Sequence, residues 1–271
     1  MTISRKLSSL ATVALLVGLT LSGCGDKDSG GTTTDSKPSK GDDVALTASN
    51  FSQVLADAQT KAKTSHVDMT IGVGGQSIKA QGDVEVGSNP ADSSMTMTMD
   101  MGSSMKLDMR LVDQVLYMNM GQLTEGKYLK IDLNDKSNPL AKQYGEIMDQ
   151  MDPAKQVDDL KEAVSSFKKA GEPKTIDGVK AQPYLIEVDT SKMAAFKELP
   201  AEAAGSIPDK IVYTMYVGPD QLLRRMEFEL AGAKSSIDYS KWGESVDIKA
   251  PSGAEVSDKD LSDLGGLAPA A

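Results

Sequence analysis

The sequence predicts an α+β fold in which a long antiparallel sheet, incompletely closed, carries helices over its concave side. Two observations lead to this prediction. Apolar and polar residues alternate in successive short segments, and turns containing Gly or Pro separate these segments. Segments with apolar residues at helical spacing stand at the start and in the middle of this series. Because a one-sided sheet must bury its apolar face, we expect the helices to lie on that face.

The first predicted element is an amphipathic helix at about 48–64, where Phe51 and Leu55 share a face and Thr47 or Ser49 is the expected N-cap. The pattern then changes to period two, which predicts about ten or eleven strands in all. Six of them follow one another between 67 and 133. The others are expected between 174 and 189 and at 210–217, 221–230, 233–240 and 246–249.

Further helices are predicted where this alternation is interrupted. One covers about 140–151, because its apolar residues lie on a single helical face. A second begins at Asp152-Pro153 and ends at Gly171, with Val164 and Phe167 directed inward. A short helix is also predicted for 191–199.

The composition excludes several functional classes. The chain of 271 residues has a net charge of −10 and a pI near 4.7, which argues against nucleic-acid binding. It contains one Cys and one His, too few for a Cys/His zinc site or an internal disulfide. A serine hydrolase or metalloprotease would depend on His66, for which a solvated or capping role is the simpler interpretation. We therefore expect no catalytic site, metal or cofactor.

The N-terminus predicts export and a lipid anchor. Arg5 and Lys6 precede an apolar stretch of about a dozen residues, which is too short to span a bilayer and is typical of a secretory signal. The stretch ends in Leu21-Ser22-Gly23-Cys24, which resembles the lipobox of bacterial lipoproteins. The predicted organisation is a signal peptide at 1–23, a tether from acylated Cys24 to 43, a lipid-binding domain at 44–251 and a disordered tail at 252–271. The expected location is the extracytoplasmic face of the cell membrane.

The predicted apolar face is rich in methionine. The chain has 15 Met but only four Phe and one Trp. Methionine is flexible and polarisable, so this face could line a deformable cavity for lipid tails, or it could be an ordinary packed core. The candidate lipid-binding residues are Met69, Ile71, Val84, Met95, Met97, Met99, Met105, Leu107, Met109, Met118, Leu140, Ile147, Met148, Val164, Met215 and Met226.

Several later segments resemble the LppX/LprG group of actinobacterial lipoproteins, in the LolA-like superfamily. The matching segments, besides the lipobox and tether, are 114–120, 128–132, the Pro153 helix, 171–179, 184–189, 211–230 with Arg224-Arg225, and 239–251. The resemblance implies a half-barrel antiparallel sheet with helices over its concave side. Some members of the group hold acylated glycolipids in the cavity between sheet and helices and move them outward through the envelope.

The expected function is therefore an anchored lipoprotein that binds an acyl lipid or lipoglycan and carries it through the envelope. Two alternatives remain open on the sequence alone. The protein could be a partner-binding or sensor domain with a solid core, or, less readily, an enzyme. The expected partners are an acyl lipid or glycolipid, the membrane through the anchor and, as a candidate, an envelope transporter. Nucleic acid is not expected, and the chain is expected to be a monomer.

Overall fold

The computed structural model describes residues 45–73, 76–87, 89–100, 102, 106–135, 137, 161–193, 207–230 and 232–259. The first element is helix α1, Phe51–Ala62, which is shorter at both ends than predicted. Its N-cap is Asn50 rather than Thr47 or Ser49, and the Asn50 side chain accepts a hydrogen bond from the Thr47 amide at 2.7 Å. Phe51 and Leu55 lie on the buried side of the helix, as their spacing predicts.

Twelve strands follow α1 in the described chain. They are β1 Thr64–Val73, β2 Gln76–Glu85, β3 Ser94–Asp100, β4 Lys106–Val112, β5 Val115–Asn119, β6 Leu129–Asp132, β7 Val164–Lys169, β8 Lys174–Ile176, β9 Val179–Asp189, β10 Lys210–Val217, β11 Leu223–Leu230 and β12 Ala233–Ser240. Their order in the sheet is β6-β5-β4-β3-β2-β1-β12-β11-β10-β9-β7, and β8 pairs with β9. Neighbouring strands are antiparallel and β6 and β7 form two separate edges, so the predicted open antiparallel sheet is confirmed.

One face of this sheet is apolar from one edge to the other. The register places Met118 opposite Met109 and Met109 opposite Met97. Farther along the sheet, Met69 lies opposite Ile237 across the pairing of β1 with β12. Because a slip of one residue would turn each strand's apolar side chains to the other face, burial of this face fixes the register strongly.

Helix α1 lies over the C-terminal half of the apolar face. The ring of Phe51 stacks on Phe167 of β7, with centroids 4.9 Å apart, and the other end of the helix leads through Lys63 into β1. A helix of 12 residues is about 18 Å long. Eleven neighbouring strands at about 4.8 Å spacing span roughly 48 Å. α1 alone therefore covers less than half of the face.

The predicted helix over 153–170 is wrong at its C-terminal end. Residues 161–163 are helical, but β7 begins at Val164 and pairs with β9. The register shifts between Val164 and Ser166, so a β-bulge brings Val164 opposite Val188 and Phe167 opposite Ile186. The bulge places two residues three apart on the same face, and this spacing imitates a helix.

The C-terminal boundary also differs from the prediction. Residues 246–249 belong to no strand, which corrects the strand expected there. Beyond Pro251 the chain runs beside β6, where the Tyr128 amide donates to the Glu255 carbonyl and the Ser257 amide donates to the Tyr128 carbonyl, both at 2.8 Å. The packed chain therefore continues past the expected domain end.

Other predicted elements are observed in part or fall outside the described residues. Thr190–Lys192 forms a 3-10 turn at the start of the predicted helix 191–199, whose remainder from 194 is outside. The predicted helix at 140–151 and the N-terminal segments 1–44 also lie outside the described residues, as do 260–271.

Candidate functional site

The described candidate residues all lie on the apolar face. Those that are buried in the core, none more than 8% exposed, are Met69, Ile71, Val84, Met97, Met99, Met109, Met118, Met215 and Met226. Met95, Leu107 and Val164 are partly buried and pack against that core. Met105, Leu140, Ile147 and Met148 lie outside the described residues. The structure thus brings together those candidate lipid-binding residues that it describes. That they bind lipid stays a prediction.

The two halves of the apolar face differ in composition. On β3, β4 and β5 it is formed largely by Met95, Met97, Met99, Met109 and Met118, which we call the methionine half. Within the described part of β1–β6, this face carries no aromatic side chain. Tyr117 of β5 lies opposite Arg110 and Lys130 on the polar face instead. Alongside Leu107, Leu111 and Leu116, the methionine half therefore presents long, unbranched side chains that can change rotamer to fit an irregular apolar partner.

The other half, from β7 to β12, carries aromatic rings. Sequence reasoning stressed the scarcity of Phe and Trp and missed the tyrosines. The rings on this half of the face, which we call the aromatic half, are Phe167, Tyr184, Tyr213, Phe228 and Tyr239. Phe167 stacks on Tyr184 with centroids 5.3 Å apart, and Tyr213 is tilted against Phe228 at 5.4 Å. Together with Phe51 from α1, these rings give this half a more rigid lining than the methionines give the other.

Trp242 fixes one corner of the aromatic half. Its ring stacks on Tyr239 with centroids 5.9 Å apart, and its Nε1–H donates to the Leu223 carbonyl at 2.9 Å. These contacts give Trp242 a packing role at the end of β12.

Tyr213 places a polar atom within the aromatic half. The residue is 5% exposed, and no described residue forms a hydrogen bond with its hydroxyl. Burial raises the pKa of the Tyr213 phenol well above its ordinary value, so the group keeps its proton and remains a hydrogen-bond donor. The oxygen itself is not fully enclosed, because the enclosed side-chain atoms without a partner among the described residues are Ser52 Oγ, Thr60 Oγ1 and Arg224 Nη1.

Arg224 is a second buried polar group; the sequence placed it in the Arg224-Arg225 pair of the family resemblance but did not predict its burial. One guanidinium nitrogen, Nη2, lies 2.5 Å from the Asp220 carboxylate, while Nη1 is enclosed without a partner among the described residues. Because a buried charge is costly unless it is paired, this contact with Asp220, in the turn between β10 and β11, offsets part of the cost of burying the guanidinium.

The opposite face of the sheet carries charged pairs. Arg225 Nε lies 2.6 Å from Asp238, which stands directly opposite Asp68 in the sheet register. His66 Nδ1 lies 2.6 Å from Asp83, and the histidine side chain is 21% exposed. Among the described residues, no group of three or more His, Cys, Asp or Glu side chains could hold a metal ion. The Arg225–Asp238 ion pair and the His66–Asp83 hydrogen bond thus join neighbouring strands across this face.

Comparison with known proteins identifies the fold. No protein-family model matches the sequence, and no curated protein matches it. The structure of LprF from Mycobacterium bovis is 18% identical, with 75% of this chain and 98% of that chain covered and a TM-score of 0.49. The lipoprotein LppX of Mycobacterium tuberculosis is 16% identical, with 74% and 98% covered and a TM-score of 0.50. The chain has the LppX fold. The resemblance predicted from the sequence is thus confirmed at the level of fold.

The LppX fold gives the candidate residues a common setting. An open antiparallel sheet presents one apolar face, and the methionine and aromatic halves of this face lie on either side of the β1–β12 pairing. Within the described ranges, no helix has the length and apolarity that crossing a bilayer requires.

Proposed function

We propose that the protein is an exported lipoprotein that binds an acyl lipid, or the acyl part of a lipoglycan, against the apolar face of its sheet. We further propose that it carries this ligand through the cell envelope. The main support is the continuous apolar face, half of which is lined by methionines in the register described above. A flexible lining adapts to hydrocarbon chains of different length and branching, which a carrier of heterogeneous lipids requires.

The curvature of the sheet belongs to the same proposal. Strands twist with a fixed hand, and a sheet of this many strands normally curls or splits. Curling around the apolar face would produce the half-barrel that the family resemblance implies, with the ligand on the concave side and α1 over one half of it.

Burial of the hydrocarbon chain can drive binding without any covalent step. Burying a 16-carbon chain contributes roughly 12 kcal/mol at about 0.8 kcal/mol per methylene. Loss of translational and rotational freedom and ordering of side chains oppose this by an estimated 4–15 kcal/mol. The balance runs from about 8 kcal/mol favourable to about 3 kcal/mol unfavourable, and its favourable part corresponds to a ligand that stays bound in water and still exchanges with a membrane.

Anchoring through Cys24 completes the proposed function. The residue ends the predicted lipobox, and acylation there would hold the domain at the extracytoplasmic face of the membrane. Several acyl chains are needed for stable anchoring, because a single chain gives only marginal binding.

One experiment on a Cys24→Ala chain tests both ligand and anchor. Residues 1–23 are replaced by a cleavable secretory signal, because without the lipobox cysteine the original signal would stay attached to the chain. The variant is exported in a bacterial host and divided into membrane and soluble fractions, and the soluble protein is examined by native mass spectrometry and organic extraction. Because it has no covalent acyl group, any acyl lipid that it carries is a bound ligand. We expect release from the membrane together with one acyl lipid for each chain.

Two results would contradict the proposal, each in a separate part. A Cys24→Ala chain that remained wholly in the membrane fraction after removal of its signal would refute the anchor. A soluble chain with the mass of the polypeptide alone, which also failed to bind added methyl palmitate, would refute the ligand.

A further inference from the structure

The hydroxyl of Tyr213 is one polar group of the apolar face that the proposed function leaves unused. Its register partners on the two neighbouring strands are Phe228 and Ile186, and Ile211 and Met215 flank it along β10 on the same face. All four neighbours are apolar, and no described residue accepts a hydrogen bond from this hydroxyl. The hydroxyl oxygen is not among the fully enclosed atoms that lack a partner, so another molecule can reach it and accept its hydrogen bond.

The next tyrosine of the same strand shows the opposite arrangement. Tyr216 lies opposite Arg225 on the polar face, and its hydroxyl has two partners although the residue is only 3% exposed. It donates to Glu227 Oε2 at 3.0 Å and accepts from Lys174 Nζ at 3.1 Å. Two buried tyrosines three positions apart therefore differ in one respect that matters here, because only the hydroxyl on the apolar face has no partner within the described chain.

The surroundings of Tyr213 restrict the kind of partner that it can take. A phosphate or a carboxylate would bring a charge into a site whose register neighbours are all apolar, and burial of an unpaired charge is strongly unfavourable. A neutral carbonyl oxygen requires one donor and no counter-charge, and a phenol that keeps its proton supplies such a donor. The apolar neighbours offer no further hydrogen-bond partners. They therefore suit an acyl ester, which has one carbonyl to satisfy, better than a sugar with many hydroxyl groups.

We propose that the Tyr213 hydroxyl donates a hydrogen bond to the ester carbonyl of the bound acyl lipid. The ester end then lies in the aromatic half, and the hydrocarbon tail extends toward the methionine half. β10 and β3 are five strand spacings apart, roughly 24 Å along the sheet, so the two halves can hold different parts of one extended ligand. This inference rests on the proposed function, which it deepens by naming the ligand group and its orientation.

A pair of matched variants tests it on the full chain. Tyr213→Phe and Tyr216→Phe remove the same atom from the same strand, on opposite faces of the sheet. For each protein, a pyrene-labelled alkane serves as a fluorescent reporter, and methyl palmitate and hexadecane are titrated as competitors. We expect Tyr213→Phe to weaken methyl palmitate about two- to twelvefold, the range of one net hydrogen bond, and to leave hexadecane unchanged. Tyr216→Phe should leave both affinities unchanged.

Thermal unfolding of the ligand-free proteins gives a second readout. Tyr213→Phe is expected to match or exceed the melting temperature of the parent chain, because the hydroxyl that it removes has no described partner. Tyr216→Phe is expected to melt lower, because it loses the bonds to Glu227 and Lys174. A Tyr213→Phe chain that lost as much stability as Tyr216→Phe would show that its hydroxyl is already satisfied, and would overturn the inference.

The binding results separate this inference from the proposed function. If the parent chain binds both competitors and Tyr213→Phe changes neither affinity, the role of Tyr213 is refuted and lipid binding stands. If the parent chain binds neither the reporter nor the competitors, lipid binding is refuted and the role of Tyr213 with it.

Discussion

Gly82→Ala is expected to lower the free energy of unfolding by about 2–4 kcal/mol, near the upper end for a single added methyl group. Gly82 lies in β2, opposite Met97 of β3 and Val67 of β1. A Cβ atom at this position would lie 1.9 Å from the Thr96 carbonyl oxygen and 2.9 Å from the Met97 Cα. Both are backbone atoms of a paired strand, so the clash can be relieved only if β2 and β3 move apart and lose part of their hydrogen bonding.

Gly253→Ala provides the matched control. Gly253 lies in the 3-10 turn Gly253–Glu255, and a Cβ there would have no atom within 4 Å. Its stability should change by no more than about 0.5 kcal/mol. Urea denaturation followed by circular dichroism compares the two variants with the parent chain. Equal stability of Gly82→Ala and the parent would contradict the close approach of β2 and β3.

Leu107→Glu is expected to reduce lipid binding by roughly a hundredfold or more while the protein still folds. Leu107 lies opposite Met99 on the apolar face and is only partly buried, so a carboxylate there can reach water in the ligand-free protein. A bound hydrocarbon tail would remove that water, and burying a charge without a partner costs several kcal/mol. Met97 is less suitable for this test because it is 5% exposed, and a charge there would unfold the sheet.

Lys106→Glu is the control for this substitution. Lys106 is the preceding residue of β4, exposed on the polar face opposite Asp100. This substitution introduces the same side chain one position away from Leu107. Its cost is limited to repulsion between the new carboxylate and Asp100, which is less than about 1 kcal/mol. Binding of methyl palmitate is measured for both variants after circular dichroism has established that they are folded. A folded Leu107→Glu chain with unchanged affinity would show that the lipid does not bind against the apolar face.

Most of the strands could be predicted because their side chains alternate strictly. In β3, Met95, Met97 and Met99 alternate with Thr96 and Thr98, and only one face of a strand satisfies that pattern. The same alternation predicts that Tyr213 lies on the apolar face, because it stands two residues before Met215 in its strand. The signal for an aromatic half was therefore present in the sequence, and counting Phe and Trp alone concealed it.

The failures have identifiable physical causes. Val164 and Phe167 have helical spacing, yet the bulge in β7 places both on one face of a strand, and nothing local marks that bulge. The pairing of β1 with β12 joins residues far apart in sequence, such as Met69 and Ile237, so no local pattern encodes it. Gly82 occupies an apolar-face position within an alternating segment, and a glycine there is a signal of close backbone approach that could have been used.

The central claim is that a lipid tail lies on the apolar face of the sheet, and photo-crosslinking tests it most directly. A methyl palmitate analogue with a diazirine near the end of its chain is bound to the full protein, activated by light and located by peptide sequencing. The account predicts labels on Met97, Met99 and Met109, with Thr96 and Thr98 unlabelled, and loss of the labels when excess methyl palmitate competes. Labels on Thr96 and Thr98 instead, or labels that excess lipid does not suppress, would contradict it.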